Sequence, residues 1–507
     1  MGFGRASGVL LHPTSLPGAH GVGDFGAEAY RFLDFLQAAG QKLWQVLPLN
    51  PTGYADSPFQ CFSASAGNPV LISLDRLIEH GTLNAADLRQ VPAFPQETVD
   101  YDAAGRFKMP LLERAAANFL ADAASDERGK FEDFAQANSA WLDDFALFMA
   151  VKQAHHLKQW TLWPADIAAR QADAINRWSD RLSSAIKAQK FFQYEFFRQW
   201  QELRAYGRER GIHVIGDVPI YVAHDSADVW ASRQCFLLDD RGIPQKVSGV
   251  PPDYFSATGQ LWGNPIYNWA LLKQTGYQWW VERIRSALRL YDFIRIDHFR
   301  GFEAYWEVPA TETTAINGRW VKGPGAELFS VLRKELGDLP IIAENLGVIT
   351  PEVEAIRHEF GLPGMAILQF AFGNDPQAPT FKPHNYVRDL VAYTGTHDND
   401  TVVGWWTSSG KGDSTRTPED VAKEHACARA YLNFEDEPIH WVLIRGIMSS
   451  VANTAIAPMQ DILGLGSEAR MNLPGVASGF WKWRMKPGAA SAEIAARLKA
   501  LATLYDR

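Results

Sequence analysis

The chain has 507 residues, of which 47% are hydrophobic and 21% charged, so it can bury a large core. Its formal net charge of -9 and pI near 5.8 argue against nucleic acid or an anionic membrane as a partner, because phosphate binding needs a basic surface. Cys61, Cys235 and Cys427 are scattered and odd in number, which suggests neither a disulfide framework nor a cysteine metal site.

The N-terminus and the hydropathy of the chain bear on its location. Residues 1–7 lack the long apolar stretch of a signal peptide, and no run approaches the roughly 20 apolar residues of a membrane span. Sparse cysteines suit a reducing compartment. We therefore expect a soluble cytoplasmic protein with no membrane, nucleic-acid or obligatory protein partner.

The first predicted elements are a strand at 8–13, a helix capped by Asp24 and a second strand at 42–49. A polar loop of turn-forming residues follows at 51–59. Beyond it the pattern is helical with charged faces and contains no clear strand. We therefore predict a helical insertion at 77–200, between the second and third strands.

The third strand, 213–219, ends beside Asp217, which taken alone is better explained as the cap of the next turn. An insertion is predicted at 223–290, and within it the Pro- and Gly-rich loop 249–265 has little regular structure. Flat aromatic rings in a groove suit the apolar faces of sugars. Three aromatic residues of this loop are therefore candidates for ligand binding: Tyr254, Phe255 and Trp262.

The second half of the chain continues the alternation. Strands are predicted from 293 and 339 onward and at 364–372, 391–396 and 450–458. Helices separate them, with starts signalled by Thr350-Pro351 and Thr417-Pro418 and a last apolar helical stripe near the C-terminus. Eight strands alternating with helices predict an α/β fold, a single (β/α)8 TIM barrel across 1–507.

Carboxylates follow three of these strands. Arg295 and Asp297 share one face of a strand, and a guanidinium beside a carboxylate holds it ionised, as a nucleophile requires. A structural ion pair would give the same pattern at one strand. However, Glu344 and Asp398 end two further strands, and parallel barrel strands deliver their carboxyl ends to one face. The three acids therefore predict a shared pocket.

Several motifs in order carry a resemblance to a known family. The strand-end motifs 295–298, 343–347 and 396–399 resemble the catalytic motifs of the α-amylase clan. The loops 53–58, 249–255 and 259–265 are similar to those of the narrower amylomaltase family, the 4-α-glucanotransferases of glycoside hydrolase family 77. The resemblance spans nearly the whole chain, and no C-terminal β-sandwich domain follows the eighth strand.

That resemblance implies a retaining transfer of α-1,4-glucan segments from a maltooligosaccharide or starch to the 4-OH of glucose or another glucan, with cyclic glucans as further products. It implies Asp297 as nucleophile, Glu344 as general acid and base, and Asp398 as the third carboxylate. No cofactor or metal is implied. The loop 249–265 would be a lid on the substrate side.

The resemblance also implies supporting residues around the reacting sugar. Transition-state and subsite support is expected from Arg295, His397, Asp217, His298 and Asn345. Substrate binding is expected from Tyr54, Ser57, Tyr254, Phe255, Gln260, Trp262 and Asn472.

Three alternatives stay open from the sequence. A hydrolase of the same clan would carry the same acids, and only the acceptor-side loops argue against it. A glucan-binding protein without activity would be expected to have lost an acid, and none is missing. An unrelated metal-dependent barrel could use His298 and His397 with the carboxylates.

Overall fold

The structure, a computed structural model, describes residues 4–53, 55–252, 258–410, 416–476 and 478–507. The strands, numbered in chain order, are β1 Ala6–Leu10, β2 Leu43–Gln45, β3 His213–Val218, β4 Lys246–Val250, β5 Gln260–Pro265, β6 Phe293–Ile296, β7 Ala304–Pro309, β8 Arg319–Lys322, β9 Ile341–Ala343, β10 Gly364–Ile367, β11 Leu390–Tyr393 and β12 Thr454–Pro458.

A parallel sheet of eight strands forms the centre, in the order β10-β11-β12-β1-β2-β3-β6-β9. Its two ends also meet, because the Ala343 N–H donates to the Pro363 carbonyl at 2.9 Å, just before β10. The predicted (β/α)8 barrel is thereby confirmed. The strands are short and almost wholly buried, as expected where helices cover a parallel sheet.

Helices surround the barrel and also fill the stretch between β2 and β3. The first helix is α1 Ala27–Ala38. Those between β2 and β3 are α2 Leu74–Glu79, α3 Tyr101–Asp122, α4 Ser125–Ala137, α5 Ser139–Ala154, α6 Ala165–Ala168, α7 Ala172–Arg181 and α8 Ser183–Glu209. Those after β3 are α9 Ala227–Ala231, α10 Trp269–Gln274, α11 Gln278–Leu290, α12 Ala326–Leu336, α13 Pro351–Glu359, α14 Val402–Thr407, α15 Pro418–Leu432, α16 Ile439–Ser449, α17 Met459–Ile462 and α18 Ala492–Leu504.

A second, antiparallel sheet of four strands, β5-β4-β7-β8, was not predicted. β4 and β5 lie within the insertion predicted at 223–290, and the loop 249–265 begins and ends in them. The prediction that this loop has little regular structure is therefore wrong at both of its ends. β4 pairs with both β5 and β7, and this pairing gives the ends of the loop a regular strand structure. The Pro and Gly content of the loop does not reveal such pairing.

Some predicted boundaries also shift. The cap predicted at Asp24 is wrong, since Gly26 is the N-cap of α1. Asp24 instead accepts a hydrogen bond from Gly26 N at 3.0 Å and from Lys108 Nζ at 2.9 Å. The strand predicted at 364–372 ends at Ile367, where a 3-10 turn, Leu368–Ala371, begins. The helix starts at Thr350 and Thr417 are confirmed as N-caps.

The barrel orientation places the predicted acids together. Asp217 lies near the end of β3, and Asp297 and Glu344 directly follow β6 and β9. Asp398 follows β11 after a short turn. All four are therefore at the carboxyl end of parallel strands. In the described part of the chain, no helix has the length and apolarity needed to cross a bilayer.

Candidate active site

Arg295 is the centre of the charged cluster at the barrel mouth. Its Nη1 donates to both oxygens of Asp217, at 2.8 and 2.7 Å, and its Nη2 donates to Asp297 Oδ1 at 2.8 Å. The guanidinium is buried, whereas the Asp297 side chain is 30% exposed. One buried positive charge is thus shared between two carboxylates, of which only Asp297 is open to solvent.

Burial acts differently on Asp217. It raises the pKa of this carboxyl to about 7, against the opposing attraction of Arg295, and nearby Asp297 raises it further. Because a single guanidinium serves both acids, the cluster cannot neutralise every carboxylate. With its raised pKa, Asp217 is less fully ionised near neutrality than an exposed aspartate, and it competes less with Asp297 for Arg295.

Glu344 is held from two sides by backbone N–H groups. His298 N donates to Oε2 and Leu346 N donates to Oε1, both at 2.7 Å. Burial nevertheless raises the pKa of Glu344 to about 7, and the charge of Asp297 raises it further. His298, the residue after Asp297, therefore holds Glu344, and the Glu344 carboxyl is buried whereas that of Asp297 is partly exposed.

Asp398 is the most exposed acid of the group, with 40% of its side chain accessible. Asn472 Nδ2 donates to its Oδ1 at 2.6 Å, and His397 Nε2 lies 3.5 Å from the same atom. Burial lowers the pKa of His397, so this ring is neutral at neutral pH. Asp398 Oδ1 is thus oriented by neutral groups, and within the described ranges no side chain or backbone group is hydrogen-bonded to its Oδ2.

His298 and Trp262 form one wall beside Asp297. The Trp262 ring meets the His298 ring edge to face, with centroids 4.8 Å apart. His298 has a positive φ of 52°, a conformation that costs a non-glycine residue energy and often marks a functional turn. Burial lowers its pKa to about 3, so the ring is neutral. Gln260 Oε1 accepts a hydrogen bond from Trp262 Nε1 at 3.2 Å.

In the described part of the chain, the side chains of the remaining predicted residues, Asn345 and Ser57, make no hydrogen bond to the three catalytic candidates Asp297, Glu344 and Asp398. The Asn345 amide is engaged within the protein, donating to Glu354 Oε1 and accepting from Met365 N, both at 2.8 Å. Ser57 is half-buried, and its hydroxyl accepts from Phe59 N at 3.3 Å. Tyr54, Tyr254 and Phe255 lie outside the described residues.

Two residues at the site were not predicted. Arg470 donates to the Asp398 carbonyl at 2.8 Å and to the Asn472 carbonyl at 2.7 Å, which fixes the backbone on both sides of that contact. Trp481 lies with its ring 5.8 Å from His397 and 5.7 Å from Phe59. Trp481 lies in a Gly-rich loop, and the same feature marks Trp262 as a candidate, so the sequence pattern could have indicated Trp481 as well. Nothing in the pattern around Arg470 indicates its role.

No group of three or more His, Cys, Asp or Glu residues in the described ranges has metal-binding geometry. What the site does hold is a set of carboxylates at the carboxyl end of a parallel barrel, one beside a guanidinium and one held near neutral pH as an acid. Such an arrangement defines a barrel enzyme of the kind that breaks and forms glycosidic bonds.

Comparison with known proteins specifies the family. The model of glycoside hydrolase family 77, described as 4-alpha-glucanotransferase, matches residues 11–490. The chain is 52% identical to a 4-alpha-glucanotransferase of Synechocystis over 99% of its own length and 98% of that protein, and 50% identical to one of Thermus thermophilus over 99% of both. The chain therefore belongs to family 77 and is a glycosyltransferase acting on α-1,4-glucans.

Solved structures agree. An amylomaltase from Streptococcus agalactiae, determined in complex with acarbose, is 42% identical and superposes with a TM-score of 0.93 over 99% of both chains. An amylomaltase from Corynebacterium glutamicum, 18% identical, shares the fold with a TM-score of 0.79 over 99% of this chain and 75% of its own.

Proposed function

We propose that the enzyme transfers α-1,4-glucan segments by a retaining double displacement through a covalent glycosyl-enzyme on Asp297. The donor is a maltooligosaccharide or starch, and the acceptor is the 4-OH of glucose or of another glucan. The observation that carries this proposal is the difference between two neighbouring carboxyls. Asp297 is paired with Arg295, whereas burial raises the pKa of Glu344 to about 7.

In the first step an oxygen of Asp297 attacks C1 of the donor sugar. Oδ1 is held by Arg295, and among the described residues no donor is hydrogen-bonded to Oδ2, which makes Oδ2 the attacking atom. As the new C1–O bond forms, the bond to the departing glucan breaks, and the carboxylic acid of Glu344 gives its proton to that glucan's O4. The departing glucan leaves with its 4-OH restored.

In the second step Glu344, now a carboxylate, removes the proton from the 4-OH of the acceptor. That oxygen attacks C1, and the bond to Asp297 breaks with its electrons returning to the carboxylate. Two inversions give net retention. The two backbone N–H donors to Glu344 keep its oxygens in place while it alternates between acid and base.

The remaining polar groups hold the sugar that reacts. Asp398 has its Oδ1 fixed by Asn472 and leaves Oδ2 for sugar hydroxyls, and His397 lies against it. Asp217, whose pKa is raised by burial, lies behind Arg295 and positions the guanidinium against Asp297. We assign Asn345 a positioning role, because its amide ties the turn after Glu344 to Glu354 and Met365.

Transfer requires that a sugar reach the intermediate before water. Trp262 beside His298 supports a sugar platform on the acceptor side, together with Gln260 and Ser57 and with Tyr54, Tyr254 and Phe255. We propose that the loop 249–265 acts as a lid that stacks glucose rings and excludes solvent. A long donor could then bring its own distal 4-OH to the intermediate, which would yield cyclic glucans.

The test is product analysis after incubation with maltotriose alone. A transferase gives glucose together with maltopentaose and longer oligomers, because each departing glucose is matched by a transferred maltosyl unit. A hydrolase of the same clan gives glucose and maltose without longer products. Inhibition by acarbose, the compound bound by the Streptococcus agalactiae amylomaltase, would place an α-glucan analogue in the site.

A further inference from the structure

Trp320 is an exposed aromatic residue at the edge of the second sheet that the catalytic scheme does not use. It lies on β8, which among the described residues pairs with β7 alone, and 40% of the residue is accessible. An indole with that much open surface is rare in the described part of this chain, where most tryptophans are buried or half-buried. Its contacts with Arg300 and Trp306 connect it to two segments beside the active site.

Arg300 connects Trp320 with the acid and base. The guanidinium carbon lies 3.8 Å over the centroid of the Trp320 ring, and Nη1 donates to the Val348 carbonyl. Val348 belongs to the turn after Glu344 and is itself exposed. Arg300 is two residues beyond His298, whose N–H holds Glu344 Oε2. The ring is therefore attached to the same turn that carries the acid.

Trp320 is also attached to the base of the loop 249–265. The Trp306 ring meets it edge to face at 5.3 Å, and Trp306 Nε1 donates to the Ala315 carbonyl at 2.9 Å. Ala315 N in turn donates to the Thr258 carbonyl at 3.0 Å. Trp320 thus lies between two segments that border the site, the turn at Glu344 and the loop 249–265.

We propose that Trp320 is an outer subsite for α-1,4-glucan, on which a glucose unit of a long chain stacks after passing between these two segments. A sugar presents an apolar face to an indole and hydroxyls to its surroundings. Lys322 lies two residues further along β8, on the same face as Trp320, and its exposed side chain supplies a polar group beside the ring. Stacking of Arg300 beneath the ring fixes its orientation before the ligand binds.

The subsite rests on the proposed function only in placing the reacting bond beside Glu344. A contact far from the reacting sugar adds affinity for long chains without acting on short ones. An aromatic stacking contact is worth a factor of about 3 to 10 in affinity. The predicted effect is therefore selective for chain length.

The experiment measures kcat/KM for disproportionation of maltotriose and of maltoheptaose in Trp320→Ala, Trp320→Phe and Ile316→Ala. Ile316 is an exposed apolar residue of the adjoining loop and serves as the matched control. We expect Trp320→Ala to lose about fivefold on maltoheptaose and to keep maltotriose turnover within twofold. Trp320→Phe should retain most activity on both, and Ile316→Ala should resemble the wild type.

Equal losses on both substrates in Trp320→Ala would overturn the subsite and assign the ring a purely structural role. Unchanged activity on both would overturn it as well. The experiment compares two substrates of one active enzyme. A wrong assignment of the carboxylate roles would therefore leave the difference between maltotriose and maltoheptaose unchanged. Failure of the subsite and failure of the proposed function are therefore distinguishable.

Discussion

At the scale of single residues, Arg295 and Glu344 decide how the site works. Arg295 contacts two acids at once, the buried Asp217 and the partly exposed Asp297, and on the proposed mechanism its charge favours the ionised form that attacks. Glu344 has no arginine of its own, and its two donors are neutral N–H groups. Two carboxyls of one site thereby differ in their surroundings: Asp297 has a guanidinium partner, whereas burial raises the pKa of Glu344 to about 7.

The raised pKa of Glu344 predicts the alkaline limb of the activity profile. Because burial raises this pKa to about 7, the acid form is lost as pH rises through 7, and turnover of maltotriose should fall about tenfold for each further pH unit. Glu344→Gln should fail with maltotriose but still react with a maltosyl fluoride, whose leaving group needs no proton. Initial rates of fluoride and glucose release give the comparison. Equal losses on both donors would contradict the assignment.

The positions of the acids and of the neighbouring Arg295 and His397 could be predicted from the sequence, whereas the contacts of Arg470 and Trp481 could not. Asp297, Glu344 and Asp398 follow apolar runs, and a parallel barrel brings such positions to one face. Arg470 and Trp481 come from a segment far away in sequence and without strand periodicity. Their contacts with Asp398 and His397 depend on how that segment folds back over the barrel.

At the scale of elements, the turn that carries Asp398 is tied down by a buried acid, Asp461. Its Oδ2 accepts from Thr394 Oγ1 at 2.6 Å and its Oδ1 accepts from Val402 N at 2.7 Å. These two contacts lie on either side of the residues 396–399. Asp461 therefore joins the end of β11 to the start of α14 and limits the freedom of the catalytic turn.

Asp461→Asn should reduce kcat about tenfold, with a smaller change in KM, because its NH2 group replaces one of the two acceptor oxygens, so that either the Val402 N–H or the Thr394 hydroxyl loses its acceptor. The variant should also unfold at a lower temperature, because its free energy of unfolding falls by about 1–3 kcal/mol. Thr407→Ala is the control, since this exposed hydroxyl on α14 only donates to the Val403 carbonyl at 2.8 Å. A kcat within twofold of wild type in Asp461→Asn would show that the turn is held by other contacts.

The loop 249–265 is the second element with a testable role. Removing a sugar platform on the acceptor side should favour water over glucan at the intermediate while formation of the intermediate changes less. In Trp262→Ala we expect the ratio of hydrolysis to transfer at fixed maltotriose to rise severalfold, with Ile316→Ala, an exposed residue between β7 and β8, as the control. The gain in reducing ends, which hydrolysis produces and transfer does not, and chromatography of the longer oligomers measure the two reactions. An unchanged ratio would assign acceptor preference to another part of the site.

At the scale of the whole molecule, the barrel was predictable because its strands are short apolar runs at regular intervals. The second sheet was not, since β8 is largely exposed and polar and is ordered only by pairing with β7. The same non-local pairing gives β4 and β5 their register. Sequence patterns identify elements that bury themselves in the core, and they miss elements that depend on a distant partner strand.

The buried acids also link folding stability to pH. The folded pKa of Glu344 is raised from 4.5 to about 7, so the folded state retains a proton that the unfolded state releases, and stability is lost as pH rises from 5 through 7. Between pH 5 and pH 8 the titration of this acid should lower the free energy of unfolding by about 2 kcal/mol. Glu344→Gln removes that titration. The difference in Tm between Glu344→Gln and the wild type should therefore be about 2 °C larger, in favour of the variant, at pH 8 than at pH 5.

Differential scanning calorimetry at the two pH values measures this difference. Glu359→Gln, at an exposed helical position, is the control and should shift Tm equally at both. A Glu344→Gln difference that does not change with pH would mean that the carboxyl is not buried as a neutral acid.

The central claim is the covalent intermediate on Asp297, and mass spectrometry of Glu344→Gln incubated with a maltosyl fluoride tests it most directly. Fluoride leaves without a proton, and the missing base prevents the acceptor from releasing the sugar, so the intermediate should accumulate. We predict that the peptide containing Asp297 gains the mass of one maltosyl group, and that Asp297→Asn in the same background gains none. Fluoride release without any adduct, or an adduct on another residue, would contradict the account.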